Sequence, residues 1–324
     1  MPQQLSRTDQ LALAVDAVRA AARVTRRVQQ TLITRDTLEK KDRSPVTVAD
    51  FASQAVVCRA LGDALVVGEE DAAELRRADN EALRNSVVEH VRSEIGDAGE
   101  SDVLDWIDRG GAPADPQTTY WTLDPIDGTK GFLRREQYAI ALGLIERGEI
   151  VLGVLGCPAL DERGALLIAA RGEGALQLPL EGQGLDDAQP VRVSDVSDPA
   201  QARFCESVES GHSDQSASAQ IAKQLGITHE PVRMDSQAKY AAVARGDAQI
   251  YLRLPTSAEY RENIWDHAAG ALVVAEAGGR VTDITGAPLD FAQGKRLERN
   301  AGIIATNGPL HERVIEAVRA VVGG

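Results

Sequence analysis

Residues 121–129 carry more information about the fold and chemistry of this chain than any other stretch, and they read Trp-Thr-Leu-Asp-Pro-Ile-Asp-Gly-Thr. An apolar run leads into two carboxylates three positions apart, at Asp124 and Asp127. A strand that ends here would bring both carboxylates to one point at its carboxyl edge. Hard oxygen ligands of this kind suit Mg²⁺, which commonly serves phosphate chemistry. Gly128 lets a bound group approach the backbone, where the amides of Gly128 and Thr129 can face an anion.

Further carboxylates lie beside predicted elements elsewhere in the chain. Asp50 stands at a predicted helix start, Glu69 and Glu70 follow a predicted buried strand, and Asp266 precedes another predicted helix. Each has a structural alternative, because Asp50 and Asp266 are also suitable N-caps and the remaining acids could form exposed turns. Carboxylates gathered after apolar runs cost free energy unless a cation joins them. Their recurrence therefore favours one shared cation site.

Composition and charge narrow the possible partners. The 324 residues are 43% hydrophobic, enough for a substantial core, and we expect two tightly joined subdomains. A formal net charge of -14 argues against a nucleic-acid surface but permits a small anionic substrate that is held by metals and a few local cations. We expect a monomer or a weak homodimer.

The cysteines and the apolar runs indicate in which cellular compartment the protein works. The three cysteines are scattered, without a disulfide framework or zinc spacing, which favours a reducing environment. The longest apolar run, 150–160, contains Gly153, Gly156 and Pro158 and is too short to span a bilayer. Asp9 interrupts any signal-peptide core. We therefore expect a cytoplasmic protein with no membrane partner.

Two halves with different patterns follow one another along the chain. The first half predicts helices over 9–33 and 50–57, an extended piece over 44–48, a strand over 64–68, and hairpin strands at 139–145 with 150–154 and at 166–170 with 175–178. Residues 72–117 are polar and charged, and we interpret them as a solvated insertion of one or two peripheral helices and a loop, without chemistry. The stretch 180–190, rich in Gly, Asp and Gln, is the best candidate boundary.

Beyond that boundary, predicted strands and helices alternate, which indicates an α/β arrangement. The predicted elements are strands over 203–208, 231–234, 248–252, 280–284 and 302–306, with helices over 216–225, 237–245 and 266–277 and a final helix from Pro309. We therefore assign 1–185 to an N-terminal α+β subdomain that carries most metal ligands. Residues 186–324 form a C-terminal α/β subdomain that carries nucleotide-binding residues and the last metal ligand.

Three short motifs resemble those of the inositol monophosphatase superfamily. They are Gly-Glu-Glu at 68–70, Asp-Pro-Ile-Asp-Gly-Thr at 124–129 and Trp-Asp-His-Ala-Ala-Gly at 265–270. Within that superfamily, the segments 206–213, 234–240 and 250–255 resemble the branch of 3′(2′),5′-bisphosphate nucleotidases. The resemblance spans nearly the whole chain. It implies an α+β layered sandwich of the inositol monophosphatase or sugar phosphatase type, with two tightly packed subdomains.

The resemblance also implies roles for the acidic residues. Glu69, Asp124 and the Ile126 carbonyl would hold one Mg²⁺, and Asp124, Asp127 and Asp266 a second. A third, weaker ion would lie near Glu69 and Asp50 through waters. Asp50 and Thr129 would hydrogen-bond the attacking water, with Asp50 as proton acceptor.

The substrate contacts implied by the resemblance include several residues of the second half. They are Gly128, Thr129, Gly211, His212, Ser236, Lys239, Arg253 and Asp266. Gly211 and His212 would lie along an adenosine, while Ser236, Lys239 and Arg253 would approach the base or a retained 5′-phosphate. Each has an alternative: Arg253 could pair with Glu259 or Glu262, and His212 and Lys239 could be solvated.

The activity implied is Mg²⁺-dependent removal of the 3′-phosphate from 3′-phosphoadenosine 5′-phosphate. The 2′ isomer and the sulfated nucleotide are further implied substrates, and Li⁺ an implied inhibitor. Inositol polyphosphates or other sugar bisphosphates stay open as substrates, as does a non-catalytic nucleotide sensor. A haloacid-dehalogenase phosphatase is disfavoured because Pro125 and Ile126 put its two acids out of register. EF-hand spacing would place Arg134 at loop position twelve, which excludes that motif.

Overall fold

The computed structural model describes residues 5–34, 44–208, 215–255, 257 and 259–322. Its helices are α1 (Arg7–Thr34), α2 (Ser44–Ala60), α3 (Glu81–Ile95), α4 (Glu100–Asp108), α5 (Thr129–Arg134), α6 (Gln215–Leu225), α7 (Ala238–Ala244), α8 (Ala268–Glu276) and α9 (His311–Val322). Its strands are β1 (Val66–Gly68), β2 (Thr119–Asp127), β3 (Ala139–Glu146), β4 (Glu149–Cys157), β5 (Ala165–Ala170), β6 (Gly174–Pro179), β7 (Gln189–Val191), β8 (Phe204–Glu206), β9 (Val232–Arg233), β10 (Ile250–Arg253), β11 (Arg280–Thr282) and β12 (Ile303–Thr306).

A seven-stranded sheet organises the first half of the chain. Its strands run in the order β1-β2-β3-β4-β5-β6-β7. β1 pairs with β2 in parallel, and each later pair of neighbours is antiparallel. A tight connection between Glu146 and Glu149 joins β3 to β4. Helices α1 and α2 cover one face of the sheet, where Val15 and Val18 pack with Leu142 and Leu152. The two predicted hairpins are confirmed.

A mixed five-stranded sheet organises the second half, in the order β11-β12-β10-β8-β9. Helices α7 and α8 lie between the two sheets, and their Ala and Val side chains pack with residues of β3 to β5. Helices α6 and α9 cover the outer face, where Ile221 and Val314 pack with Phe204, Ile250 and Ile304. Helix and sheet layers thus alternate through the molecule, which confirms the expected layered sandwich.

The two sheets take up different parts of the chain. Strand β7 pairs with β6 in the first sheet, and β8 begins the second sheet. The division into subdomains at residue 185 stays a prediction. In the described part of the chain, none of the helices has the length and apolar character needed to cross a membrane.

The interpretation of 72–117 as a solvated insertion was wrong in part. Val87 and Val91 on α3 and Val103 and Ile107 on α4 are fully buried against Phe51 of α2. The abundance of charged residues hid these apolar positions, which recur at helical spacing on one face of each helix. The segment therefore supports α2 and, through it, the acidic end of β2.

The extended piece predicted over 44–48 was also wrong, because α2 begins at Ser44. Pro45 and two valines suggested extended chain, yet proline is well tolerated in the first turn of a helix, where its missing N–H has no partner in any case. The earlier start changes the position of Asp50. It lies inside the helix rather than at its N-cap, so the N-cap alternative for this residue was wrong.

Candidate active site

A β-bulge near the end of β2 brings Asp124 and Asp127 onto one face of the sheet. Residues three apart on a regular strand point to opposite faces. Here Asp124 pairs with Ala141 and Asp127 with Ala139, so three steps on β2 oppose two on β3. The backbone N–H of Ile126 donates to the Asp124 carboxylate at 3.1 Å and holds the turn. Both carboxylates therefore face the α7–α8 layer.

Glu69 reaches the same place from the neighbouring parallel strand. It follows directly on β1, whose Gly68 pairs with Leu123 of β2. The buried side chain of Gln54 secures this segment, because its amide donates to the Glu70 carbonyl at 2.6 Å and accepts from the Glu70 N–H at 3.2 Å. A Cβ at Gly68 would lie 2.5 Å from the Gln54 side-chain oxygen, so the close approach requires glycine.

Asp50 approaches from the helical layer. α2 lies against the bulge, where the Ser53 hydroxyl donates to the Pro125 carbonyl at 3.0 Å. This contact places Asp50, which is buried, one helical turn before Ser53 and beside the carboxylates of β1 and β2. Thr47 on the same helix also faces the cleft.

Asp266 completes the group at the entry to α8. The Gln237 backbone N–H donates to the Asp127 carboxylate at 2.6 Å. The Gln237 side chain donates to the Trp265 carbonyl at 2.8 Å and accepts from the Gly270 N–H at 3.1 Å. One buried residue thus fixes the end of β2 relative to the start of α8, and it brings Asp127 and Asp266 together.

These residues line one cleft of about 770 Å³. Residues of both sheets contribute, since Asp124 belongs to β2 and Arg253 to β10. Acidic side chains outnumber basic ones in its lining, where Lys130 and Arg253 are the basic members. The lining is Thr47, Asp50, Glu69, Asp124, Ile126, Asp127, Gly128, Thr129, Lys130, Leu133, Arg253, Leu254, Pro255, Tyr260, Glu262 and Asp266.

Four carboxyl groups of the cleft have raised pKa values, those of Asp50, Glu69, Asp124 and Asp266. Burial, with the negative charges of Glu69 and Asp127, raises the pKa of Asp124 well above its usual range. Burial and neighbouring acids also raise the pKa values of Asp50 and Asp266. Glu69 opens to the cleft, yet protein atoms desolvate its carboxyl group. This desolvation and the charge of Asp266 raise the pKa of Glu69 to about 8.

The donor set fits a hard divalent cation. The side chains of Glu69 and Asp124 are hydrogen-bonded to each other, which requires a proton shared between two carboxyl groups. A cation bound between them would supply the positive charge that this proton provides. Glu69, Asp124, Asp127 and Asp266 could hold such ions together with the Ile126 carbonyl, which also lines the cleft.

Gly128 and Thr129 connect the bulge to α5. Gly128 has φ of 90°, and a Cβ there would lie 2.9 Å from Cβ of Ser236. Ser236 is itself in the left-handed region, at φ of 68°, and its hydroxyl accepts from the Ala238 N–H at 3.1 Å. The turn at Ser236 therefore packs directly on the Gly128 backbone, and Thr129 is left facing the cleft.

The residues proposed to contact substrate fall into three groups. Gly128, Thr129, Arg253 and Asp266 line the cleft. Ser236 and Lys239 are buried behind that lining, where the Lys239 ammonium lies 5.3 Å from the Tyr251 ring centroid and burial lowers the pKa of Lys239. Gly211 and His212 lie outside the described residues. The substrate roles of all these residues stay predictions.

Several residues that build the site escaped sequence reasoning. Gln54 has no sequence signal, because a buried glutamine resembles a surface one until the fold is known. Gln237 lies in the segment 234–240 that carries the resemblance, but the sequence assigned it no role. Glu262 was considered only as a possible partner of Arg253, and that ion pair is present, with Arg253 Nε 2.9 Å from Glu262 Oε1. Tyr260, with a hydroxyl that hydrogen-bonds to Arg253, had no motif of its own.

Alternating layers and an acidic cleft lined from both sheets define an inositol monophosphatase-like protein. A model described as the inositol monophosphatase family matches residues 6–322. The chain belongs to this family. An inositol monophosphatase from Anabaena (Nostoc) sp. PCC 7120 has a similar fold, with a TM-score of 0.64 at 23% identity, covering 97% of this chain and 96% of that one.

Curated relatives resemble the chain over nearly its whole length. A Schizosaccharomyces pombe protein named 3′(2′),5′-bisphosphate nucleotidase is 45% identical over 336 residues, which cover 95% of this chain and 94% of the relative. An Oryza sativa protein of the same name is 43% identical over 341 residues, covering 97% of this chain and 94% of the relative.

Proposed function

We propose that this chain is a Mg²⁺-dependent phosphatase that removes the 3′-phosphate of 3′-phosphoadenosine 5′-phosphate and releases AMP. The observation that carries the proposal is a single cleft in which convergent carboxylates and the Arg253 guanidinium occur together. Acids alone would suit many metal sites. A fixed guanidinium in the same cleft suits a substrate with a second phosphate, because Arg binds phosphate through paired donors.

The relatives support the nucleotide rather than a sugar as the substrate. Both relatives described above are named 3′(2′),5′-bisphosphate nucleotidase and align with this chain over nearly its whole length. The 2′ isomer and the sulfated nucleotide 3′-phosphoadenosine 5′-phosphosulfate are further candidate substrates. Inositol polyphosphates and other sugar bisphosphates are the less favoured alternative.

The acidic side chains would hold the cations. Glu69, Asp124 and the Ile126 carbonyl form one proposed set, and Asp124, Asp127 and Asp266 the other, with a weaker ion near Asp50. Bound there, divalent ions supply a water nucleophile of lowered pKa and neutralise charge on the phosphate and the departing oxygen. An in-line displacement then needs mainly positioning and charge neutralisation from the protein.

Asp50 and Thr129 are proposed to orient the attacking water. Both line the cleft, from α2 and from the first position of α5. Burial and nearby acids raise the pKa of Asp50, so its carboxylate has the proton affinity that a general base requires. With the other carboxylates assigned to cations, direct attack by water without a phosphorylated enzyme is the simpler course.

The remaining contacts are proposed for the nucleotide. Arg253 would bind the retained 5′-phosphate, with Lys239 adding positive charge from behind and Ser236 placing the turn. Gly211 and His212 would lie along the adenosine. We also propose a cytoplasmic protein, a monomer or weak homodimer, that is inhibited by Li⁺ and clears this by-product of sulfate transfer.

A phosphate-release panel tests the proposal. The purified protein is assayed with and without Mg²⁺ on 3′-phosphoadenosine 5′-phosphate, its 2′ isomer, the sulfated nucleotide, inositol 1,4-bisphosphate and fructose 1,6-bisphosphate. We expect Mg²⁺-dependent release with the highest kcat/KM on the adenosine bisphosphates. A preference for a sugar bisphosphate would reject the nucleotide, and Mg²⁺-independent release would reject the cation site. Nucleotide binding without any release would indicate a sensor.

A further inference from the structure

Arg253 is the end member of a buried chain of hydrogen bonds. Its Nε lies 2.9 Å from Oε1 of Glu262, whose Oε2 lies 3.2 Å from Nε2 of His267. Nδ1 of His267 lies 2.8 Å from the hydroxyl of Tyr240 on α7. Tyr240, Glu262 and His267 are all buried. The chain runs from the helix layer between the sheets to the one arginine in the cleft lining described above.

The chemistry of the partners assigns the donors to Glu262 in this chain of hydrogen bonds. Burial would raise the pKa of Glu262, but His267 and Arg253 lower it to about 2, so the carboxylate only accepts. Nε2 of His267 must therefore donate to Glu262, as Nε of Arg253 does. Nδ1 of His267 pairs with the Tyr240 hydroxyl, so both ring nitrogens have a partner. Both Glu262 oxygens lie near Nε of Arg253.

Packing fixes Tyr240, which is the end of the hydrogen-bond chain farthest from Arg253. The Tyr240 ring lies against α8, where a Cβ at Gly270 would come within 2.3 Å of it, and it meets the Tyr251 ring edge-on at 5.0 Å between centroids. Such a ring has little freedom to move. The orientation of the Tyr240 hydroxyl is therefore set by the core of the molecule and is passed on through His267 to Glu262.

A second reading of the same residues fails on their contacts. Possible ligand atoms of Glu262, Asp266 and His267 lie within 4.8 Å of one another, as in a metal site. Both ring nitrogens of His267 are occupied, however, and both Glu262 oxygens lie near the Arg253 guanidinium, which would repel a cation. Glu262 and His267 thus belong to the arginine rather than to a cation.

We infer that Tyr240, His267 and Glu262 are positioning residues that hold the Arg253 guanidinium in the orientation needed for the second phosphate of the substrate. The inference deepens the proposed function and rests on it. Glu262 binds the guanidinium at Nε, and the Tyr251 and Tyr260 hydroxyls also hydrogen-bond to Arg253. The remaining N–H groups of the five are the ones that can bind an anion. Loss of this chain of hydrogen bonds would free the guanidinium to rotate. The affinity for a bisphosphate would then fall, while the reacting phosphate stays in place.

Steady-state kinetics on two substrates test this inference. 3′-phosphoadenosine 5′-phosphate carries the second phosphate, and 3′-AMP lacks it. We expect Glu262→Gln to raise KM for the bisphosphate about tenfold, the loss typical of a hydrogen bond to a charged group. KM for 3′-AMP and both kcat values should stay within about twofold. Tyr240→Phe, a milder change, should raise KM for the bisphosphate about threefold.

A double-mutant cycle separates positioning from general destabilisation. If Glu262 acts through Arg253, Glu262→Gln in an Arg253→Ala background should raise KM no further. Tyr138→Phe is the matched control, because Tyr138 is also buried and its hydroxyl lies 3.1 Å from that of Thr25 on α1, which does not line the cleft. It should leave both KM values unchanged. If the Glu262→Gln variant does not fold, Tyr240→Phe takes its place in the cycle with Arg253→Ala and tests the same positioning role.

Three outcomes would overturn the inference. Equal rises in KM for both substrates would show that the chain of hydrogen bonds has only a structural role. If the effects of Glu262→Gln and Arg253→Ala on KM for the bisphosphate were additive, Glu262 would act independently of Arg253. A fall in kcat with KM intact would connect Glu262 to the acidic side chains. If Arg253→Ala itself fails to distinguish the substrates, the proposed bisphosphate site is wrong and the inference falls with it. If Arg253→Ala raises KM for the bisphosphate but not for 3′-AMP, the bisphosphate site stands, and the other results test only the positioning role.

Discussion

Asp127 shows at the scale of one residue how the cleft is assembled. Its carboxylate accepts the Gln237 N–H at 2.6 Å, and Asp127 follows the bulge that turns it toward α8. The bulge and the Gln237 N–H thus fix the position of this side chain, whereas its carboxylate supplies the negative charge. An asparagine at this position keeps the size and placement of the side chain but lacks the charge.

Asp127→Asn should therefore nearly abolish turnover with little loss of stability. Removing one ligand charge from a cation that stabilises the departing oxygen costs several kcal/mol, or about a hundredfold to a thousandfold in kcat. Phosphate release and urea unfolding measure the two effects. Asp63→Asn, at an exposed position, is the control. Activity near that of the wild type would remove Asp127 from the mechanism.

Gly128→Ala should destabilise the protein by more than backbone strain alone. A positive φ costs an L-residue about 1–2 kcal/mol, and the contact with Ser236 adds about 1–3 kcal/mol of overpacking. Gly172→Ala is a matched control, since Gly172 has φ of 81° with nothing within 4 Å of its added Cβ. Urea unfolding of both variants measures the difference, and equal losses would contradict the packing role assigned to Ser236.

At the scale of elements, the docking of α9 depends on a neutral histidine. His311 is fully buried, with ring nitrogens 3.0 Å from the Thr282 hydroxyl and 2.9 Å from the Thr306 hydroxyl. Burial, with the nearby charge of Arg280, lowers the pKa of His311 from 6.5 to about 4. The neutral ring joins α9 to β11 and β12.

This shift predicts a loss of stability in mild acid. As pH falls from about 6.5 towards 4, the unfolded chain takes up a proton at His311 that the folded protein does not, so the free energy of unfolding decreases. His311→Gln removes this contribution. The stability gap between wild type and variant should narrow from pH 7 to pH 5 in urea titrations. A gap that stays constant would show that His311 is not kept neutral by the fold.

The sequence predicted most elements and the acidic residues of the cleft, for local reasons. Apolar periodicity identifies hairpins such as 139–145 with 150–154, and the acids follow strand or helix ends that motifs mark. The β2 bulge could not be predicted, because it depends on pairing with β3. Helix α2 packs against α1, a contact that local periodicity does not show, and the role of Gln54 depends on Gly68 and Gly110 lying on either side of it.

At the scale of the whole molecule, the cleft couples folding to protons and cations. Glu69 and Glu70 have folded pKa values of about 8 and about 7, against 4.5 for ordinary glutamates. Without divalent cations, the folded protein therefore binds more protons than the unfolded chain between pH 4.5 and 8. The contribution of these two glutamates to the free energy of unfolding should therefore fall as pH rises through that window, opposite in sign to the contribution of His311.

Mg²⁺ should replace those protons and restore the stability. The increase in Tm on adding Mg²⁺ to chelator-treated protein should be larger at pH 8 than at pH 6, because binding at pH 6 must displace more protons. Thermal scans at both pH values measure this. Protonation of His311 changes the stability equally with and without Mg²⁺, so its effect cancels in the increase in Tm at each pH. A larger increase at pH 6 would contradict the assignment of the acids to a cation.

The bulge in β2 also limits how this protein can change over evolutionary time. Substitutions at Pro125 or Ile126 alter contacts one at a time, but removal of either residue would restore strict alternation from Asp124 onward. Asp127 would stay on the face of Asp124, two steps away, but the turn in which the Ile126 N–H donates to the Asp124 carboxylate would be lost. Deletions at this point are therefore disfavoured, even where individual amino acids can change.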